Sequence, residues 1–249
     1  MKRVVIVGKN RENVKALKQH LLIHGFVYDN KKPELVISLG GDGTYLYAER
    51  QYPSVPKLLI RDSNICNKCG EDVLDKVIDK LKAGKYHVLE CMKLDAQVNG
   101  KRVLTCANDF VLRNKRLTQA IRFALDIGTK QIDGELIGDG LVISTSYGST
   151  AYYYSITKQH FNYGIGIAFN NLTKRMRPLV VDENAILRIT MVRESAELAA
   201  DNNPKLVRVN QGDVIEIRKR KETAKILKVN IGFWEWLKHV QFLGRRRSI

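Results

Sequence analysis

The chain has 249 residues, 44% of them apolar and 27% charged, which excludes intrinsic disorder and leaves room for one large domain or two ordinary ones. No run approaches the roughly 20 apolar residues of a membrane span, and Met1-Lys2-Arg3-Val4-Val5-Ile6-Val7 is too short for a secretory signal, so a cytoplasmic protein without a membrane partner is expected. Forty-two lysines and arginines against 26 aspartates and glutamates give a formal charge of +16, which points to an anionic partner without naming it.

Arg3 to Gly8 reads as a buried strand, and Val14, Leu17, Leu21 and Leu22 repeat at helical spacing before Gly25. Leu35-Val36-Ile37-Ser38-Leu39 is a second buried strand, Leu58-Leu59-Ile60 a third, and residues 71–82 an amphipathic helix carrying Val73, Leu74, Val77, Ile78 and Leu81. This alternation predicts a parallel sheet with helices on it over residues 1–88.

Past Gly84 the pattern turns to strands. Leu94–Val98 alternates with period two, Asn99-Gly100 signals a hairpin and Arg102-Val103-Leu104 returns. Short strands follow at 120–127, 141–145, 185–192, 206–210, 214–218 and 225–230, predicting a sandwich-like β-rich domain over 89–230. The aromatic segment 231–249, with Phe233, Trp234 and Trp236, reads as a C-terminal helix that packs on the first domain.

Four cysteines do not make a disulfide framework in a chain of this length. Cys66-x-x-Cys69 has the spacing of half a zinc site, but it lacks two further ligands in sequence and reads as ordinary thiols, so no metal ligand is assigned.

Three segments carry chemistry. Gly40-Gly41-Asp42-Gly43-Thr44 closes a predicted strand, where an open α/β sheet binds ligands. Its glycines let backbone N–H groups approach phosphates, making Gly40, Gly41, Gly43 and Thr44 a candidate phosphate-donor loop. It is neither a Walker A loop nor a Gly-x-Gly-x-x-Gly fingerprint, and Asp42 would repel phosphate unless it takes a substrate proton or holds a metal ion. Asn108-Asp109 can read an adenine edge or ribose hydroxyls, though such a pair is more often a turn. The block from Gly138 to Tyr152 places a strand between loops of small hydroxyl residues and glycine, suited to ribose and phosphate.

In this order and at this spacing, Gly-Gly-Asp-Gly-Thr at 40–44, Asn-Asp at 108–109 and Gly-Asp-Gly-Leu-Val-Ile-Ser-Thr-x-x-Gly-Ser-Thr-Ala-Tyr at 138–152 resemble the NAD kinase family. Arg177-Pro178-Leu179-Val180-Val181 and the closing Phe233-Trp234 segment also fit, so the resemblance spans essentially the whole chain. The first element is shared with diacylglycerol-type lipid kinases and 6-phosphofructokinases, whereas the long block is particular to NAD kinases. The resemblance implies a Rossmann-like N-terminal α/β domain and a β-rich C-terminal domain. It also implies a returning C-terminal helix and a homo-oligomer, dimer or tetramer, in which a neighbouring subunit helps to build the site.

It further implies phosphorylation of the adenosine-ribose 2′-hydroxyl of NAD to NADP, with Mg²⁺ or another divalent cation and ATP or polyphosphate as donor. Asp42 would accept the proton, with Gly43 beside it at the dinucleotide. Asn108 and Asp109 would face the adenosine ribose, and Thr150, Ala151, Tyr152 and Ser155 would line the NAD pocket. Asp139 would join them, across a subunit interface if need be, and Ala168 would complete the set. The sequence departs from the family at Asp109, where Glu is usual, at Ser146-Tyr147, where Pro-Thr or Pro-Ser is common, and at Arg61–Cys66, which replaces Gly-x-Leu-Gly-Phe-Leu. The alternatives are a lipid or sugar kinase sharing the Gly-Gly-Asp-Gly-Thr turn and a basic nucleic-acid-binding protein. The latter predicts aromatic residues among the basic clusters, and Arg218 to Lys221 has none, so no nucleic-acid partner is expected.

Overall fold

The computed structural model describes residues 1–61 and 71–229; Cys66, Cys69 and the expected helix at 231–249 lie outside them. The chain divides into two compact units, Met1–Leu89 with the stretch from Lys225, and Glu90–Ala224. In chain order the first contains β1 (Arg3–Gly8), α1 (Arg11–Ile23), β2 (Val27–Tyr28), β3 (Leu35–Leu39), α2 (Asp42–Gln51), β4 (Lys57–Ile60), α3 (Glu71–Lys82) and most of β5 (Tyr86–Cys91), which runs on past Leu89. The second contains β6 (Leu94–Val98), β7 (Lys101–Cys106), β8 (Asp109–Asn114), β9 (Ile121–Ile127), β10 (Lys130–Gly138) and β11 (Gly140–Thr145). A 3-10 turn, Tyr147–Thr150, and α4 (Tyr152–Thr157) follow, then β12 (Ile165–Asn170), β13 (Leu179–Val181), β14 (Leu187–Arg193), β15 (Ala196–Ala200), β16 (Val207–Val209) and β17 (Val214–Lys219). The last described strand is β18 (Ala224–Val229). No helix among the described residues is long and apolar enough to cross a membrane.

The first sheet has the order β2-β1-β3-β4-β18-β5, and β1, β2, β3, β4 and β18 are joined by parallel pairings. Every residue of β3 is buried because both faces are covered. Leu35, Ile37 and Leu39 pack with Leu17 and Leu21 of α1 and Ile78 and Leu81 of α3, while Val36 packs with Val5 and with Ala48 of α2. Leu22, counted on the inner face of α1 by its spacing, is exposed. Asn10 starts α1 by accepting the N–H groups of Glu12 at 2.9 Å and Asn13 at 3.2 Å. The C-terminal end of α2 is tied to β4 by Lys57, which is fully buried and donates to Glu49 and to the Tyr52 carbonyl.

The expected strand at 225–230 forms as β18, but it joins this first sheet beside β4 and not the β-rich unit that 89–230 was expected to span. Its burial gives the reason. Ala224, Ile226 and Leu227 are all buried, on both faces, as in a covered parallel strand and unlike the half-wet β17 before it.

The second unit is built from two antiparallel six-stranded sheets, β10-β9-β14-β17-β6-β7 and β13-β12-β11-β8-β15-β16. Alternate residues of both supply one core: Ile121, Phe123 and Leu125 of β9 and Leu187, Ile189 and Met191 of β14 from one sheet, Leu141 and Ile143 of β11 and Ile165, Ile167 and Phe169 of β12 from the other. Outside the second sheet, Val142 and Ala168 pack under Tyr153 of α4, which is why β11 is buried at all six positions. The Asn99-Gly100 hairpin forms between β6 and β7, with Asn99 bonding Asp213 and the Val214 N–H.

Candidate active site

In the first unit, β3 ends at Leu39 and Gly40 turns the chain at φ 151°, where a Cβ would meet Thr44 Oγ1 at 2.3 Å; only glycine fits. Gly41 is the N-cap of α2, no side chain caps that helix, and a Cβ on Gly41 would meet nothing within 4 Å. Asp42 and Gly43 are exposed in the first turn, whereas Thr44 is buried against Gly40. The result is a side-chain-poor helix N-terminus, suited to an anion, with one carboxylate beside it.

In the second unit, antiparallel pairing of β8 with β11 sets Asp109 opposite Ser144 and brings Asn108-Asp109 against the Ser144–Thr150 block. Thr145 donates its N–H to the Asn108 carbonyl at 2.8 Å and its hydroxyl to the Ala107 carbonyl at 2.7 Å, then accepts the Gly148 N–H at 3.0 Å. The 3-10 turn therefore lies on Asn108: a Cβ at Gly148 would stand 2.3 Å from the Asn108 carbonyl oxygen. Asn108 is buried, yet its side-chain oxygen has no hydrogen-bond partner among the described residues. An orphaned buried acceptor of this kind calls for a donor, and a hydroxyl or an amino group has the chemistry to be one.

Asp201, in the turn after β15, holds this tip. Its carboxylate accepts the N–H groups of Ala107 at 2.8 Å, Asn108 at 2.8 Å and Asp109 at 3.1 Å, and its own N–H donates to the Asp109 carbonyl at 2.9 Å. Two carboxyls are thus buried together. Desolvation, and then the charge of Asp201, raise Asp109 from 3.8 to about 7. Burial also raises Asp201, against the pull of its three N–H donors and of Lys93. With those donors Asp201 is the carboxylate of the pair, and Asp109 is the member that keeps a proton near neutrality.

This has a measurable consequence. The unfolded chain ionises Asp109 near 3.8 and the folded chain near 7, so between these values the folded state binds the extra proton and stability falls as pH rises. The loss is complete above the folded value and amounts to a few kcal/mol, on the order of 1.4 for each unit of the gap. Asp109→Asn removes the term: its melting temperature gains on the parent between about pH 4 and pH 8. Parallel pH profiles of the two proteins would show that Asp109 ionises in the fold as it does in the unfolded chain.

Residues 107–229 match the family model of the ATP-NAD kinase C-terminal domain. The NAD kinase of Clostridium perfringens strain 13 is 27% identical over 233 residues, covering 88% of this chain and 82% of that one. The chain belongs to the NAD kinase family. Two solved structures share its fold. Yeast NADH kinase complexed with NADH superposes with a TM-score of 0.82 at 16% identity, covering 100% of this chain and 89% of that one. An NAD kinase from Archaeoglobus fulgidus in complex with ATP gives 0.75 at 18%, covering 96% and 98%.

In this NAD kinase family member, the sequence-assigned residues of the second unit fall into two places. Asn108 and Asp109 adjoin the 3-10 turn that carries Thr150, and Ala151 links that turn to α4, which bears Tyr152 and Ser155. Thr150, Ala151 and Ser155 are exposed and Tyr152 half-buried; the Ser155 hydroxyl donates to the Tyr152 carbonyl and remains able to accept. Ala168 lies in β12 beneath Tyr153, fully buried. Asp139 stands apart at the other end of β11, five residues and roughly 17 Å of strand from Ser144, where its carboxylate accepts from Asn171 at 3.1 Å. The sequence does not single out Asp201, since Asp201-Asn202-Asn203 has the composition of an ordinary turn.

Proposed function

We infer that the chain transfers a phosphoryl group to the adenosine-ribose 2′-hydroxyl of NAD, giving NADP, with ATP or polyphosphate as donor. The observation that carries this reading is the orphaned Asn108 oxygen beside the buried Asp109 carboxyl, whose pKa burial raises, both next to the Ser144–Thr150 block within the family-matched region. That pair offers one acceptor and one group able to donate or accept, which suits the vicinal hydroxyls of a ribose. Thr150, Ala151, Tyr152 and Ser155 line the dinucleotide beside it, and Ala168 backs the wall through Tyr153. Asp139, at the far end of β11, serves the pocket of a neighbouring subunit in a homo-oligomer.

Phosphoryl transfer needs alignment and charge neutralisation more than covalent assistance. The uncapped N-terminus of α2, with Gly40, Gly41, Gly43 and Thr44, receives the donor's terminal phosphates, and ATP is the nucleotide in the Archaeoglobus fulgidus complex. The exposed Asp42 carboxylate orients the 2′-hydroxyl and accepts its proton as the bond to phosphorus forms. A Mg²⁺ ion fits the hard oxygen chemistry of this loop, which offers a single carboxylate, so donor phosphates and water would complete its coordination. When bound, such an ion neutralises phosphate charge. The net charge of +16 favours encounter with both phosphate-bearing substrates.

Purified protein offered ATP, Mg²⁺ and in turn NAD, diacylglycerol or fructose 6-phosphate is expected to phosphorylate NAD alone, read with an NADP-specific dehydrogenase. Turnover of the lipid or the sugar in place of NAD would favour the rival kinases that share the Gly-Gly-Asp-Gly-Thr turn.

A further inference from the structure

Away from these residues, α1 and α3 bring together a group that the reaction does not use. His20 and His24 lie one turn apart at the end of α1, and Asp75 faces them from α3. His20 Nε2 is 2.7 Å and His24 Nε2 is 3.2 Å from the same oxygen, Asp75 Oδ1, and one ligand atom from each of the three residues falls within 4.8 Å of the others. We propose that His20, His24 and Asp75 form a binding site for a divalent transition metal of the zinc class, clipping α1 to α3.

The geometry suits such an ion. Zinc bonds of about 2.0–2.2 Å to nitrogen and oxygen put neighbouring tetrahedral ligands about 3.3 Å apart, inside the range of separations seen here. Two imidazoles and one carboxylate are a borderline-soft set that prefers zinc or cobalt to magnesium or calcium. The frame is fixed beforehand: Leu17 and Leu21 of α1 and Ile78 and Leu81 of α3 share one hydrophobic cluster, so packing, not the metal, sets the spacing of the helices. The side chains are 27%, 26% and 42% exposed, which leaves an entry path and a fourth position for water. Without a metal, the same convergence is two imidazole groups meeting one carboxylate oxygen, an ion pair or hydrogen bond and nothing more.

The other metal-binding groups must be kept out of the test. Cys91 and Cys106 are both buried, and burial pushes the Cys106 thiol well up, away from the thiolate form. Cys66 and Cys69 are removed by substitution. The parent is therefore tag-free, chelator-stripped full-length protein carrying Cys66→Ser and Cys69→Ser.

Calorimetric titration with Zn²⁺ is expected to show one equivalent bound, and a hundredfold excess over Kd to raise Tm by about 5–10 °C. Co²⁺ in its place is expected to give visible d–d bands without thiolate charge transfer. His24→Ala is expected to weaken zinc at least tenfold, about the least that even an outer-sphere partner costs. Asp75→Asn keeps the shape of the side chain and is expected to do the same, so the conclusion survives if one variant folds poorly. No binding by the parent, undiminished binding by the folded variants, or a thiolate band with Co²⁺ would each overturn the site.

Discussion

Asp42→Asn is expected to lower kcat by about two to four decades, the usual weight of a positioned general base. Asparagine keeps the size and polarity of the side chain at the first turn of α2 but cannot take the 2′-hydroxyl proton. The step that must move that proton slows, while groups elsewhere continue to bind the adenosine. Affinity for NAD, measured by calorimetry, therefore stays within about twofold, and the loss falls on kcat. Stability gives the control. Asp42 is exposed, so the variant loses only the interaction of a negative charge with the N-terminus of α2, about 0.3–1 kcal/mol. Near-normal turnover in a folded Asp42→Asn protein would take the base role away from this residue.

The second large effect belongs to Asp201. Asp201→Ala strips the acceptor from three backbone N–H groups in succession, those of Ala107, Asn108 and Asp109, in a place where water does not readily replace it. Each unsatisfied buried donor costs about 1–3 kcal/mol. Relief of Asp109 from its charged neighbour returns part of this, so a net loss of about 3 kcal/mol, or a Tm lower by about 6–12 °C, is expected. The Asn108-Asp109 tip loses its fixed geometry, so KM for NAD rises at least about tenfold with a smaller change in kcat, the signature of lost substrate binding. Asp201→Asn retains one acceptor oxygen and is expected to fall between the two. A Tm within about 2 °C of the parent, with unchanged KM, would show that other groups hold the tip.

The difference between these two aspartates shows what the sequence exposes. Asp42 stands out because glycines surround it, a local anomaly that composition alone makes visible. The partners of Asp201 lie 94, 93 and 92 positions away, so only folding reveals them. The same holds for Lys57, which as a lysine beside a short apolar run reads as solvated but is fully buried on Glu49. Strands β3 and β11 were legible because apolar runs buried on both faces have little polar interruption. β18 was legible as a strand but not as a member of the first sheet, since periodicity says that a face is buried without saying against what. β10 escaped because Asp133 and Gly134, both at positive φ, make a bulge that breaks its alternation. α4 was hidden behind the tyrosines at 152–154, of which only Tyr153 is buried.

The proposed reaction puts a new phosphate on one particular oxygen. ATP labelled at the γ-phosphate is incubated with NAD and the protein, and the product is mapped by phosphorus–proton NMR. One labelled phosphate is expected on the 2′-oxygen of the adenosine ribose, formed about a hundredfold or more slowly by Asp42→Asn. Label on any other oxygen, or no transfer to NAD by the intact protein, would contradict it.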